Sequence, residues 1–189
     1  MSKNAGKAFE DDFKKSIPDY CFCHRLKDSS QSFIESNFAK FSWDNPCDFF
    51  VWNGNLRLFF AIECKSAKTK SISVQMNKED KSSKMIKYHQ IKSLTQISNY
   101  EGAIAGFFVN FRDEINNMER TYFIDITNFN KMMKEINKVS FNEIDLLLYG
   151  GVKINGVKKR TRYTWDIHDF FECEYNKTNK IDNKLEAAI

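Results

Sequence analysis

The sequence predicts an α/β fold in which a central mixed β-sheet is flanked by helices. Three observations lead there. The chain opens on a stretch whose apolar residues recur at helical spacing; two apolar segments are then joined by an Asn-Gly turn signal; a second amphipathic segment leads into further strand-like runs. With 189 residues, 42% of them hydrophobic and 18 of them Phe, the chain is long enough to bury a sizeable core. Two prolines and seven glycines are too few for a low-complexity or disordered chain.

Residues 4–17 place Ala5, Ala8, Phe9, Phe13 and Ile17 along one side of a helix that Pro18 stops. Residues 20–26, rich in aromatics and cysteine, read as a short strand, and the polar residues 27–37 as a loop. Residues 48–52 (DFFVW) form a compact apolar strand. Asn53-Gly54 predicts a tight hairpin turn, because both central positions of such a turn favour positive φ. The returning strand, residues 56–64 (LRLFFAIEC), is apolar enough to be buried on both faces. A Lys- and Ser-rich loop over 66–83 is long enough to carry function. Residues 84–100 read as a helix with Ile86, Gln90, Leu94 and Ile97 on one side. Strands at 102–111 and 120–126 and a helix at 128–138 follow, and Ser140 to Glu143 fits a capping box opening a short helix. A second turn signal, Asn155-Gly156, predicts a hairpin carrying Lys153, Lys158, Lys159, Arg160 and Arg162. No repeat or linker divides the chain, so residues 1–175 are expected to form a single domain and the polar residues 176–189 a frayed tail.

A formal charge of +4 and a pI near 8.7 are compatible with a nucleic-acid partner without requiring one. Five cysteines with no secretory leader before them read as reduced thiols in a cytoplasmic protein. Cys21, Cys23 and His24 lack a second ligand pair at zinc spacing and read as part of a strand. No apolar run approaches the roughly 20 residues that span a bilayer, so no membrane association is expected.

The chemistry centres on Asn45-Pro46-Cys47-Asp48, a hairpin, then Ile62-Glu63-Cys64-Lys65. Antiparallel pairing sets Asp48 at the start of one strand and Glu63 at the end of its neighbour, so the two carboxylates meet at one end of the hairpin. Glu63 and Lys65 are two apart and face the same side. Two hard carboxylates suit Mg2+, which takes oxygen ligands and keeps several waters. Such an ion polarises a phosphodiester and lowers the pKa of a bound water, while an adjacent lysine orients that water or stabilises transition-state charge. An acidic residue two before a lysine also occurs at Asp12, Glu79 and Asp182. What distinguishes Glu63 is its setting, a buried strand joined by a hairpin to a Pro-x-Asp strand.

In the order GKAFEDDF, NPCDFFVW, LFFAIECKS, IKYHQIKSL, GAIAGFFVNFR and RTRYTWDI, the chain up to about residue 171 resembles the RecU-type Holliday-junction resolvases, in particular their short phage and prophage forms. The resemblance implies a PD-(D/E)XK (restriction-endonuclease-like) core over residues 1–175, DNA recombination and repair as the setting, and a homodimer acting on four-way junctions. It implies Asp48 and Glu63 as metal ligands, with the main-chain carbonyl of Cys64 a further one, and Lys65 as the catalytic lysine. Glu10 resembles the acidic residue that completes the metal environment, with Asp11 and Asp12 as alternatives of different helix phase. Gln90 resembles a glutamine lining the same cleft, and His89 beside it reads equally as a contact or as a surface histidine. Mg2+ is the implied cofactor, with Mn2+ able to replace it. Two departures concern substrate shape: Asn-Pro-Cys-Asp replaces the family's Thr-Thr-Asp, and residues 27–43 are short and lack the proline-rich stalk.

Arg25 and Lys27 after the first strand, and Lys68 and Lys70 after the catalytic lysine, are the expected contacts to DNA phosphates, which position DNA without reading its sequence. Lys158 and Arg160 in the basic hairpin are a third candidate group, although lysines there also protect an edge strand from aggregation. Two other readings stand beside the resolvase: a nuclease acting on flapped, nicked or sequence-defined duplex DNA, and a non-catalytic DNA-binding accessory protein of recombination.

Overall fold

Six strands build the central sheet of the computed structural model, which describes residues 4–26, 45–116 and 118–186. The chain runs α1 (Ala5–Ser16), β1 (Cys21–Arg25), β2 (Phe49–Asn53), β3 (Leu58–Ala67), β4 (Ser71–Ser73), α2 (Tyr88–Ile97), β5 (Ala103–Asp113) and β6 (Met118–Asp125). It continues through α3 (Ile126–Ile136), β7 (Ser140–Asn142), α4 (Glu143–Leu148), β8 (Val152–Ile154), β9 (Gly156–Lys158), β10 (Tyr163–Trp165) and α5 (Ile167–Glu186). The sheet order is β1-β2-β3-β5-β6-β8, with β3 and β5 parallel and the other neighbours antiparallel. This is the mixed sheet flanked by helices that the sequence predicts. The loop expected over 27–37 lies outside the described residues.

Each sheet face carries its own apolar layer. Phe9 and Phe13 of α1 and Phe170 and Phe171 of α5 pack on Phe49, Phe60, Ile62 and Phe108. On the opposite face, Leu94 of α2 and Phe129, Met132 and Met133 of α3 cover Ala61, Ala105, Phe107 and Val109. β3 lies in the middle of this sandwich, which is why its apolar run lacks the alternation of a half-exposed strand.

The first hairpin differs from the expectation. Asn53 pairs with Leu58, so the connection has four residues, and the residue in the left-handed region is Arg57 (φ 55°), not Gly54. The Asn53 side chain accepts the N–H groups of Asn55 (3.1 Å) and Leu56 (3.2 Å) and shapes the loop itself. A two-residue turn would have set Trp52 against Asn55 and residue 48 against Phe59. The longer loop instead pairs Phe49 with Ile62, which brings residue 48 level with Glu63.

The second Asn-Gly pair closes no hairpin. β8 pairs with β6, β9 pairs with β10, and the turn of that hairpin is closed by Lys159 N–H to Arg162 O (2.7 Å). Gly156 serves a different need: a Cβ there would stand 2.3 Å from the Trp165 ring. The long polar loop contains β4, paired with β7, and α2 starts at Tyr88 rather than at residue 84. Ser140 lies in β7, and the capping box belongs to Asn142 and Asp145, which exchange side-chain and backbone hydrogen bonds at 2.9 and 3.0 Å. Helix α5 continues to Glu186, where the polar composition predicts fraying.

The β9–β10 hairpin docks on α1. Buried Asp12 accepts from the Arg162 guanidinium (2.9 Å) and from Tyr163 N–H (3.1 Å), and Ser16 Oγ accepts Trp165 N–H (2.8 Å). Asp12→Ala strands both donors and is expected to cost about 2 kcal/mol. Urea denaturation would measure it, and an unchanged midpoint would count against this anchoring role. Among the described residues no helix is long and apolar enough to cross a membrane.

Candidate active site

Asp48 enters β2 with its N–H on Ile62 O (3.1 Å), and its Oδ2 accepts Cys64 N–H (2.8 Å), which clamps the carboxylate across the β2–β3 ladder beside Glu63. Glu63 is 3% exposed, and its Oε1 accepts from Lys65 Nζ at 2.8 Å. The same oxygen accepts from Gln90 Nε2, in the first turn of α2. Gln90 Oε1 in turn accepts Lys87 N–H (2.9 Å), so the amide is fixed with its donor toward Glu63. Strand alternation places Glu63 and Lys65 on the α2 side, while the Cys64 side chain lies in the opposite core among Phe9, Phe13 and Ile62. Its Sγ is therefore turned away from Glu63, and only the main-chain oxygen of Cys64 remains a candidate ligand.

Of the three acidic residues on α1, Glu10 is the one beside this cluster. It is bonded by Arg25 through Nε (3.0 Å) and a terminal nitrogen, and its charge raises the pKa of both Asp48 and Glu63. Asp12 is committed to the docked hairpin, and the Asp11 carboxylate stands 3.9 Å from Arg162. His89 is exposed and, when protonated, makes a minor contribution against the rise in the Glu63 pKa. Burial, reinforced by the charge of Glu63, pushes Asp48 up to about 7 against the opposing Cys64 N–H and Lys65. Glu63 is also raised, chiefly by burial, with Lys65 pulling the other way.

Acidic charge thus exceeds basic charge in a confined, poorly hydrated place, a condition that a divalent cation relieves. Among the described residues no three His, Cys, Asp or Glu side chains converge to hold an ion by themselves. The donor set still fits Mg2+, since two carboxylates and a main-chain oxygen leave room for the waters it keeps. Cys21 and Cys23 pack toward the α1–α5 core, whereas His24 is exposed on the other face of β1, so the zinc reading has no shared face to stand on.

The remaining cations lie apart from that centre. Lys68 is exposed and paired with Glu114 (2.9 Å), and exposed Lys70 lines the same groove. Lys158 sits over the Tyr163 ring and Arg160 is exposed, both in the hairpin docked on α1, away from the α2 side. Lys27 lies outside the described residues. Arg112 carries a contact that no local sequence pattern announces: its Nε donates to Ser66 Oγ (2.9 Å), 46 residues away.

Comparison with known proteins adds a family. The SPbeta prophage-derived uncharacterized protein YotM of Bacillus subtilis (strain 168) is 32% identical over 198 residues, covering 98% of this chain and 94% of that protein. The chain belongs to the YotM family. No family model matches it. Hjc, a Holliday junction resolvase from the archaeal hyperthermophile Archaeoglobus fulgidus, aligns with 78% of this YotM-family chain and 95% of its own, at 18% identity and a TM-score of 0.47.

Proposed function

We propose that this protein is a Mg2+-dependent endonuclease of the PD-(D/E)XK type, RecU-like, that hydrolyses phosphodiester bonds in branched DNA. One observation carries the reading: Asp48 and Glu63 lie side by side on paired strands, with Lys65 on the same face and in contact with Glu63. Asp48, Glu63 and the Cys64 carbonyl would hold the ion, with Glu10 close enough to add its charge. Bound there, Mg2+ would polarise the phosphate and lower the pKa of the attacking water.

The chain's own residues supply the rest. Gln90 fixes the orientation of Glu63, and the Cys64 N–H fixes that of Asp48. Lys65, its side chain 15% exposed, holds its ammonium 2.8 Å from the Glu63 carboxylate, where it can orient a water and stabilise charge on the phosphate oxygens. The kinship with a prophage-derived protein fits a phage recombination setting in the cytoplasm. Paired nicks across a four-way junction need two sites, so a homodimer is part of the proposal, as is a single nuclease domain over residues 1–175.

The test is cleavage of labelled four-way junction, flap, nicked and linear DNA in Mg2+ or Mn2+, with Lys65→Ala alongside. The wild type is expected to cut junctions preferentially, and Lys65→Ala to be slower by about 10²–10³-fold with binding retained. Equal cutting of all four substrates would leave a nuclease and remove the junction selectivity. Failure to cut any of them would favour a DNA-binding accessory role.

A further inference from the structure

Beyond Lys65, at the ends of the interior strands β3 and β5, lies a groove of about 660 Å3, whose lining includes Lys68, Lys70, Arg112, Glu114 and Arg120. It starts three residues along from Lys65, about 10 Å at strand spacing. In its lining one carboxylate oxygen, Glu114 Oε1, lies 2.9 Å from Lys68 Nζ and 3.0 Å from Arg112 NH1. Arg112 is not loose: its Nε is anchored on Ser66 Oγ, on the sheet face opposite to Lys65 but at the same strand end. Two cations converge on a single anionic oxygen, one of them rigidly oriented by the strand that carries Glu63 and Lys65. A phosphate oxygen can take the same place as this carboxylate oxygen. Glu114 itself is 54% exposed in the turn between β5 and β6, and exposed ion pairs of this kind contribute little to stability, so exchange of the carboxylate for another anion costs little.

We propose that Lys68 and Arg112 form a binding site for a backbone phosphate of DNA leaving the candidate active site, and that the Glu114 carboxylate occupies it until DNA arrives. The proposal rests on the nuclease reading and deepens it. Lys68 thereby acts with a partner that the linear sequence did not suggest, and Glu114 acts as an internal competitor that raises the threshold for non-specific binding.

Asp48→Asn protein, expected to leave bound DNA uncut, would be titrated with labelled junction and duplex DNA across a salt series, alone and combined with Lys68→Ala, Arg112→Met or Glu114→Gln. Lys68→Ala and Arg112→Met should each weaken binding and reduce the salt slope by about 0.9, the loss of one phosphate contact. Glu114→Gln should tighten binding several-fold. Lys68 and Glu114 are both exposed, so these two variants test the idea without endangering the fold. DNA binding by the parent with affinity and slope untouched by Lys68→Ala and Glu114→Gln would overturn this site alone. No binding by the parent would overturn the nuclease reading together with it.

Discussion

Asp48→Asn is expected to abolish cleavage and, in metal-free buffer, to raise the melting temperature. The first effect follows from the loss of an anionic oxygen at the proposed metal position, and a fall of at least about 10³-fold in turnover is expected. The second follows from the pKa of Asp48, which moves from an ordinary 3.8 to about 7 on folding. A carboxyl raised in this way binds its proton more readily in the folded state than in the unfolded state. The folded protein therefore loses stability as pH climbs from about 4 to about 7, and above that the full penalty of an ionised, crowded carboxylate is present. Asparagine keeps an oxygen for the Cys64 N–H and removes the charge. In a chain of this size each kcal/mol gained raises the midpoint by about 2–4 °C. Melting curves in EDTA between pH 5 and 9 would measure it. The wild type should weaken toward pH 7 while Asp48→Asn stays flatter, and Mg2+ at pH 8 should stabilise the wild type more than the variant. Identical pH profiles would show that Asp48 is not under electrostatic strain.

Phe108→Ala is expected to cost about 3–5 kcal/mol, a large share of the 5–15 kcal/mol that holds a typical domain together. Phe108 is fully buried on β5, with ring centroids 5.6 Å from Phe9, 4.8 Å from Phe13 and 6.3 Å from Phe170. It thus links α1 and α5 to the sheet, and its loss would open a cavity in a closely packed aromatic layer. Exposed Phe22 provides the contrast, since Phe22→Ala should change stability by no more than about 0.5 kcal/mol. Guanidinium denaturation of both variants decides the matter. A loss below about 1 kcal/mol for Phe108→Ala would mean that the two helices are held by something other than this aromatic layer.

What could be read in the sequence followed from burial pattern and strand alternation. The run LRLFFAIEC identifies β3 because a strand covered on both faces needs no polar alternation, and the Glu63–Lys65 spacing survives because strand parity is local. The meeting of Asp48 with Glu63 was legible, but through a turn of the wrong length. Asn53 acts through its side chain, and that chemistry depends on where the loop's N–H groups lie. Asp12 looked interchangeable with Glu10 because its partner, Arg162, lies 150 residues away. The same holds for β4 and β7, three-residue strands with no apolar run of their own, which exist because Ile72 and Phe141 meet across the chain. Glycine at position 156 signalled a turn, whereas its place is set by a tryptophan face.

The parallel pairing of β3 with β5 also sets an order of assembly. Asp48 and Glu63 are joined by a short hairpin and can approach early, at little cost in chain entropy. Pairing Phe59 with Ala103 must close a loop of more than forty residues, and Gln90 reaches Glu63 from α2, which lies inside that loop. A nascent or partly unfolded chain therefore carries the two carboxylates without the group that orients them. Under the proposed function, competence to cut would then arrive only with the completed sheet, and an incompletely folded copy would be harmless to the DNA around it.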